Sequence, residues 1–197
     1  MKQLYHIFTS MRPHQWTKNL VVFAGLIFSR NFHQQALLLR SVEAFIVFCL
    51  LSGVIYIIND IADLEKDRLH PTKKNRPLPS GRLPVPVAFT AAMVCAALGM
   101  FLSWRLGGGF LTVASVFLAL NLLYSFLLKR LVLLDVVSIS LSFVLRAIAG
   151  VEALRDVEPS IAISPWLLYS AVPVIVVIIA FNFMGDGLRD AADPYGH

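Results

Sequence analysis

An all-α, polytopic transmembrane bundle of about six spans is what the sequence predicts, and three observations predict it. Of 197 residues, 57% are hydrophobic and only 15% charged, whereas an ordinary soluble domain has roughly 45–50% apolar and 25% charged residues. The mean hydropathy is +0.72. The apolar residues also stand in runs close to the about 20 residues that an α-helix needs to cross a bilayer. Five such runs are plain, over residues 41–58, 86–104, 110–128, 131–150 and 165–183.

A sixth and weaker run, residues 20–28, lies between Lys18 and Arg30. Its apolar core is short, so it crosses only if the segments around Trp16 and Phe32 join it and the cationic ends snorkel. Residues 1–17 lack the apolar core and small-residue cleavage site of a signal peptide, so direct insertion is expected. Gly107, Gly108 and Gly109 read as a tight turn between spans, because glycine takes positive φ without steric penalty. Cys49 and Cys95 fall inside apolar runs, which argues against a disulfide framework or a thiolate metal site. No repeat or low-complexity segment stands out.

The 17 Lys and Arg against 12 Asp and Glu give a net charge of +5. In a membrane chain such an excess reflects loop topology, and nucleic acid is not an expected partner. Twelve of the 17 fall in the amino terminus, the loop 59–83, the pair Lys129 and Arg130, and the tail. The other five are Arg30, Arg40, Arg105, Arg146 and Arg155. The positive-inside rule therefore predicts a multi-pass protein of the cytoplasmic membrane with both termini and the polar loop in the cytoplasm.

That loop holds the chemistry. Asp60, Asp63 and Asp67 stand at i, i+3 and i+7 just after an apolar run, which on a continuous helix sets three carboxylates on one face. Their mutual repulsion, a few tenths of a kcal/mol per pair when exposed, is relieved by a divalent cation. Mg²⁺ suits hard oxygen ligands and is commonly held by one or two carboxylates together with substrate phosphates. Downstream, Lys73, Lys74 and Arg76 supply point charges and a planar fork for phosphate. The pattern predicts a metal–diphosphate site at the cytoplasmic face; the plainer reading is a solvated basic loop.

The string Asn59-Asp60-x-x-Asp63-x-x-x-Asp67, followed by Arg76-Pro77-Leu78-Pro79-Ser80-Gly81, resembles the first aspartate-rich motif of the UbiA-type intramembrane prenyltransferase superfamily. Three further strings resemble its decaprenyl-phosphate phosphoribosyltransferase branch: Met11-Arg12-Pro13-His14-Gln15-Trp16-Thr17-Lys18-Asn19, His70-Pro71-Thr72-Lys73 and Leu145-Arg146-Ala147-Ile148-Ala149-Gly150. The resemblance runs from about residue 11 to about residue 168. It implies a helical bundle around a membrane cavity, phosphoribosyl diphosphate as donor, and a membrane lipid, polyprenyl (decaprenyl) phosphate, as acceptor. On this basis Asp60, Asp63 and Asp67 hold Mg²⁺ and the leaving diphosphate, with Asn59 in support. Lys73, Lys74 and Arg76 meet donor phosphates, and Lys18 meets the acceptor phosphate.

Tyr124, Lys129 and Asp135 form a second polar group, resembling the family's Tyr-x-x-x-x-Lys segment. Asp135 is the strongest of the three as a catalytic candidate, because a lone carboxylate inside an apolar run is costly. Arg146 is expected to snorkel to the outer interface, and His14 has no partner at ligand spacing. The last residues, about 169–197, resemble instead the carboxyl end of dipeptide and oligopeptide ABC-transporter permeases. Asn182-x-x-Gly185-Asp186-Gly187-Leu188-Arg189-Asp190-x-x-Asp193-Pro194 carries that likeness. The expectation is a transferase part over 1–168 joined to a permease-like tail, the join falling between about 164 and 173. Two alternatives stay open: the same fold with a polyprenyl diphosphate donor and an aromatic acceptor, and an inactive truncated or chimeric membrane protein. The sequence sets no oligomeric state.

Overall fold

The computed structural model describes residues 2–126 and 132–161, with side chains in the second stretch from residue 137 onward. All regular elements among them are helical. Seven α-helices follow in order: α1 Lys2–Ser10, α2 Ala24–Ser29, α3 Gln35–Ala62, α4 Leu64–Leu69, α5 Val85–Leu106, α6 Gly108–Phe126 and α7 Val132–Arg155. Two 3₁₀ segments, Pro13–Phe23 and Lys73–Asn75, complete the set.

Four helices among the described residues are long and apolar enough to cross a membrane: α3, α5, α6 and the Val137–Arg155 part of α7. The apolar window of α3 is 61% buried while those of α5 and α6 are 17% and 22% buried, so α3 is the hub and the other two present side chains to lipid. The expected run 165–183 lies outside the described residues. The expected first span is not one α-helix. It is 11 residues of 3₁₀ helix running into the six of α2. A 3₁₀ helix rises about 2.0 Å per residue against about 1.5 Å in an α-helix, so these residues extend about 31 Å, close to the hydrocarbon thickness of about 30 Å. The short apolar run thus gains reach by taking in its Trp16 flank, wound as 3₁₀ helix.

Three apolar clusters hold the bundle. The central one joins Phe48 of α3 to Phe110 and Phe117 of α6, with ring centroids 6.0 and 4.9 Å apart, and adds Val22, Leu145 and Ala149. Offset and edge-on aromatic pairs of this kind add about 0.5–1.5 kcal/mol beyond their buried area. A second cluster gathers Met11, Val54, Ile57, Leu78, Leu83, Ala88 and Ala92. It fastens the amino-terminal segment and the loop 77–83 onto α3 and α5, at the end that carries the aspartates. The third, around Leu26, Leu37, Val151 and Leu154, closes the opposite end.

Small residues set the closest crossing. A Cβ added to Gly150 would stand 1.9 Å from the carbonyl oxygen of Val22, and one on Gly25 would stand 2.9 Å from the Gly150 backbone. The 3₁₀ segment and α2 therefore lie backbone to backbone on α7. At the other glycine-rich site only Gly107, at φ 122°, is a turn residue. Gly108 and Gly109 already belong to α6, so the expected three-glycine turn shrinks to one residue. Gly109 has space for the Glu152 carboxylate, which would meet a Cβ at 2.1 Å. An acidic group there complements the positive end of the α6 dipole.

Candidate active site

Asp60 sits in the last turn of α3 and Asp67 in the short helix α4, with Asp63 at the junction between them. Backbone bonds continue across the junction, from Asp63 N–H to the Asn59 carbonyl and from Asp67 N–H to the Asp63 carbonyl, both at 2.9 Å. The three carboxylates nevertheless do not meet at one point. Asp60 and Asp67 are buried, at 2% and 3% exposure, and a single guanidinium joins them. Arg76 Nη1 donates to Asp60 Oδ1 at 3.2 Å and to Asp67 Oδ2 at 2.9 Å. Arg12 forms a second ion pair with Asp60, and Lys73 Nζ lies 3.6 Å from Asp67 Oδ1. Buried carboxylates persist only when paired in this way. Two carboxylates against three cations leave the cluster with an excess of positive charge, suited to an anion.

Two polar clefts flank this cluster. The larger, about 470 Å³, is walled by α1 on one side and by the loop after α4 on the other; Asp60, Arg12, Arg76, Gln15, Asn75 and Arg82 line it. The smaller, about 400 Å³, is lined by Asp63, Asp67, Lys66 and Lys73 together with Ser125 and Phe126 from the end of α6. Loop 70–83 keeps its shape through local bonds: Arg82 Nε donates to Ser80 Oγ at 2.9 Å, and Leu83 N–H donates to the Pro77 carbonyl, also at 2.9 Å. Leu78 and Leu83, nearly fully buried, anchor the loop so that Arg76 stays over the aspartates.

The remaining expected residues separate. Asn59 is half-buried beside Asp60. Tyr124 is half-buried in α6, next to the cleft residue Ser125. Lys74 is exposed and lines neither cleft. Lys129 lies outside the described residues. Asp135 is placed by its backbone near the start of α7. Lys18 is exposed, while Arg146 is not. The expected snorkelling of Arg146 is overturned. It is 6% exposed, its Nε donates to Asn19 Oδ1 at 2.8 Å, and its Nη1 donates to the Ser142 carbonyl at 2.9 Å. Sequence reasoning also gave Arg12 no role, although it stands in the quoted Arg12-Pro13 string; its φ of 53° turns the chain so that it reaches Asp60 and lies 4.8 Å over the Tyr56 ring.

Residues 19–193 match the sequence model of the UbiA prenyltransferase family, and the chain belongs to that family. Among curated relatives, the decaprenyl-phosphate phosphoribosyltransferase of Mycolicibacterium smegmatis is 37% identical over 186 residues, covering 92% of this chain and 55% of that protein. Its Mycobacterium tuberculosis counterpart is 34% identical over 188 residues, covering 92% and 58%. The chain thus spans a little over half the length of these two. A protein of Sinorhizobium fredii, y4nM, is 42% identical over 159 residues, 81% of this chain and 30% of its own. A stretch of 42 residues is 52% identical to the oligopeptide transport system permease protein OppC of Escherichia coli, 21% of this chain and 14% of that one. Of solved structures, a digeranylgeranylglyceryl phosphate synthase aligns with TM-score 0.70 and 25% identity, over 78% of this chain and 54% of its own. A UbiA homolog from Archaeoglobus fulgidus, bound to GPP and Mg²⁺, aligns with TM-score 0.63 and 19% identity over 91% and 78%. The chain is a polytopic, all-helical member of the UbiA family.

Proposed function

We propose that the chain transfers a phosphoribosyl group from phosphoribosyl diphosphate to a polyprenyl phosphate, with Mg²⁺, at the cytoplasmic face of the membrane. The observation that carries this reading is the pair of polar clefts meeting at the Asp60–Arg76–Asp67 cluster. The larger cleft offers Asn75, Gln15 and Arg82 beside the carboxylates, donors and acceptors that suit a sugar and its phosphate rather than an isoprenoid chain. The curated phosphoribosyltransferase relatives support the same donor and acceptor.

The carboxylates fit a divalent cation, because Asp60 Oδ1 and Asp67 Oδ2 already close on a single cationic nitrogen at 3.2 and 2.9 Å. Hard oxygen donors of this kind suit Mg²⁺, which when bound neutralises developing charge on the leaving diphosphate. Asp60 and Asp67 would hold it, with Asp63 and Asn59 adjacent. Arg76, Arg12 and Lys73 then turn toward donor phosphates, where fixed cations stabilise charge as it develops. A phosphate oxygen of the acceptor forms the bond to ribose C1 as the bond from C1 to the diphosphate oxygen breaks, and the electron pair leaves with diphosphate. The acceptor dianion has no proton to lose, so no general base is needed.

The cytoplasmic placement rests on the distribution of Lys and Arg. The proposed division at about residue 168 rests on the likeness of the tail to permeases. The test is diphosphate release by the full chain in detergent and membranes, with phosphoribosyl diphosphate and polyprenyl phosphate, compared with geranyl diphosphate and an aromatic acceptor. Release that needs the phosphoribosyl donor, the lipid phosphate and Mg²⁺ supports the proposal; release only with geranyl diphosphate establishes the prenyl-donor alternative.

Arg76→Met separates two roles of one side chain. Its guanidinium holds the carboxylates where a metal would, so its removal is expected to lower the Mg²⁺ concentration needed for half-maximal rate. Loss of a forked phosphate contact is expected to raise KM for the donor by about 10–100-fold. Arg76→Lys should fall between. Initial rates measured across both concentrations check the split.

A further inference from the structure

Arg146 is the one buried cation among the described residues. Its guanidinium lies 4.7 Å from the Phe117 ring centroid and 5.4 Å from that of Phe143. Two of its five N–H donors serve Asn19 and the Ser142 carbonyl, and the others have no partner among the described residues. No carboxylate among those residues pairs with it. Ring faces and neutral oxygens solvate such a charge only in part, and an ionisable side chain at membrane depth ordinarily marks a ligand.

Its surroundings are built rather than incidental. Asn19, at 1% exposure, accepts from Arg146 Nε at 2.8 Å and from Ser52 Oγ at 3.3 Å and donates to Cys49 Sγ at 3.4 Å. This ties the 3₁₀ segment to α3 and α7 together. Lys18 precedes Asn19 in the same 3₁₀ segment. Ser52 comes eight residues before Asp60 on α3, which puts the Arg146 level about 12 Å deeper than the carboxylates. Both buried carboxylates, Asp60 and Asp67, thus sit at the upper end of this column of cations.

We propose that Arg146, with Lys18 beside it, receives a phosphate monoester: the headgroup of the acceptor lipid. The inference rests on the phosphoribosyl-transfer reading. A diphosphate held at Asp60 and a phosphate held at Arg146 would stand on opposite sides of the ribose whose C1 changes partner. The donor's own 5-phosphate has the same chemistry. The lipid is favoured because the site is ringed by Phe117, Phe143 and the apolar body of the bundle, whereas Arg82 and Asn75 serve the donor's polar end.

The test measures binding without turnover, using the full chain in detergent with farnesyl phosphate, farnesol and Mg²⁺–phosphoribosyl diphosphate as separate probes. Arg146→Gln is expected to raise the Kd for farnesyl phosphate about tenfold or more, with partial rescue in Arg146→Lys. Lys18→Gln, at an exposed position that keeps the fold, is expected to raise it several-fold. Farnesol and donor affinities should stay within about twofold. Unchanged farnesyl phosphate affinity in both Arg146→Gln and Lys18→Gln overturns the proposal, as does a loss confined to phosphoribosyl diphosphate, which would assign the site to the donor's 5-phosphate. A wild-type chain that binds farnesyl phosphate through Arg146 yet releases no diphosphate from phosphoribosyl diphosphate refutes the transfer reading and leaves the phosphate site standing.

Discussion

Asp60→Asn is expected to lower Mg²⁺-dependent diphosphate release by about 10²–10³-fold, the range found when one preorganised charge-stabilising group is removed. The carboxylate has two jobs at one position. On the proposed reading it offers a hard, charged oxygen to a metal, and in the fold it is the group on which Arg12 and Arg76 converge. Asparagine keeps the volume and one oxygen but loses the charge, so a bound metal would lose an anionic ligand and two guanidiniums lose their shared charged partner. Asp67→Asn should have a comparable effect, since Asp67 is as deeply buried and holds Arg76 and Lys73. Asp63→Asn, outside the Arg76 bridge, is expected to do less. The apolar window of α3 has a mean hydropathy of 2.3, which a single change at its end does not alter, so membrane levels should match wild type. Diphosphate release normalised to membrane-inserted protein measures the effect; wild-type rates in Asp60→Asn would dismiss the metal assignment.

The carboxylate stripe was legible because its spacing is a local property: four or seven residues along a helix put side chains on one side whatever the rest of the chain does. What spacing does not encode is which cation comes to which oxygen. Arg12 reaches Asp60 across 48 positions of sequence, through a left-handed turn before Pro13 that no hydrophobic period announces. The helix break at Asp63 likewise leaves Asp60 and Asp67, rather than all three, on the same guanidinium.

The spans show the same division. Long apolar runs translate directly into α3, α5 and α6, because burial in lipid depends on composition and length. The run 20–28 is too short by that measure, and its 3₁₀ winding depends on tertiary contact with α3 and α7. Arg146 is the sharpest case. Read from the sequence, a lone arginine toward the outer end of a span snorkels; in the fold, Asn19 of a distant segment and two aromatic faces hold it inside. The signal was present in the Leu145-Arg146-Ala147-Ile148-Ala149-Gly150 string, whose small residues, spaced one turn from the arginine, permit a backbone to come close.

Gly150→Ala follows from that spacing and is expected to destabilise the bundle by about 1–3 kcal/mol, the usual range for overpacking a filled interior. The added Cβ would lie 1.9 Å from the Val22 carbonyl oxygen, 2.8 Å from its carbonyl carbon and 3.2 Å from its Cα. These are backbone atoms, which no rotamer change can move aside. The 3₁₀ segment must therefore shift away from α7. Gly25→Ala, whose nearest contact is 2.9 Å, should follow the same course more mildly. Val22, Ala149 and Leu145 share the central cluster, so the shift loosens packing that van der Waals contact must supply in lipid. It also draws Asn19 from Arg146, one turn away on α7. Thermal unfolding in detergent should show a lower Tm for Gly150→Ala than for Gly108→Ala, where a Cβ meets nothing within 4 Å. Farnesyl phosphate affinity should fall in the first variant and hold in the second. Equal Tm values would mean that the crossing is looser than this geometry allows.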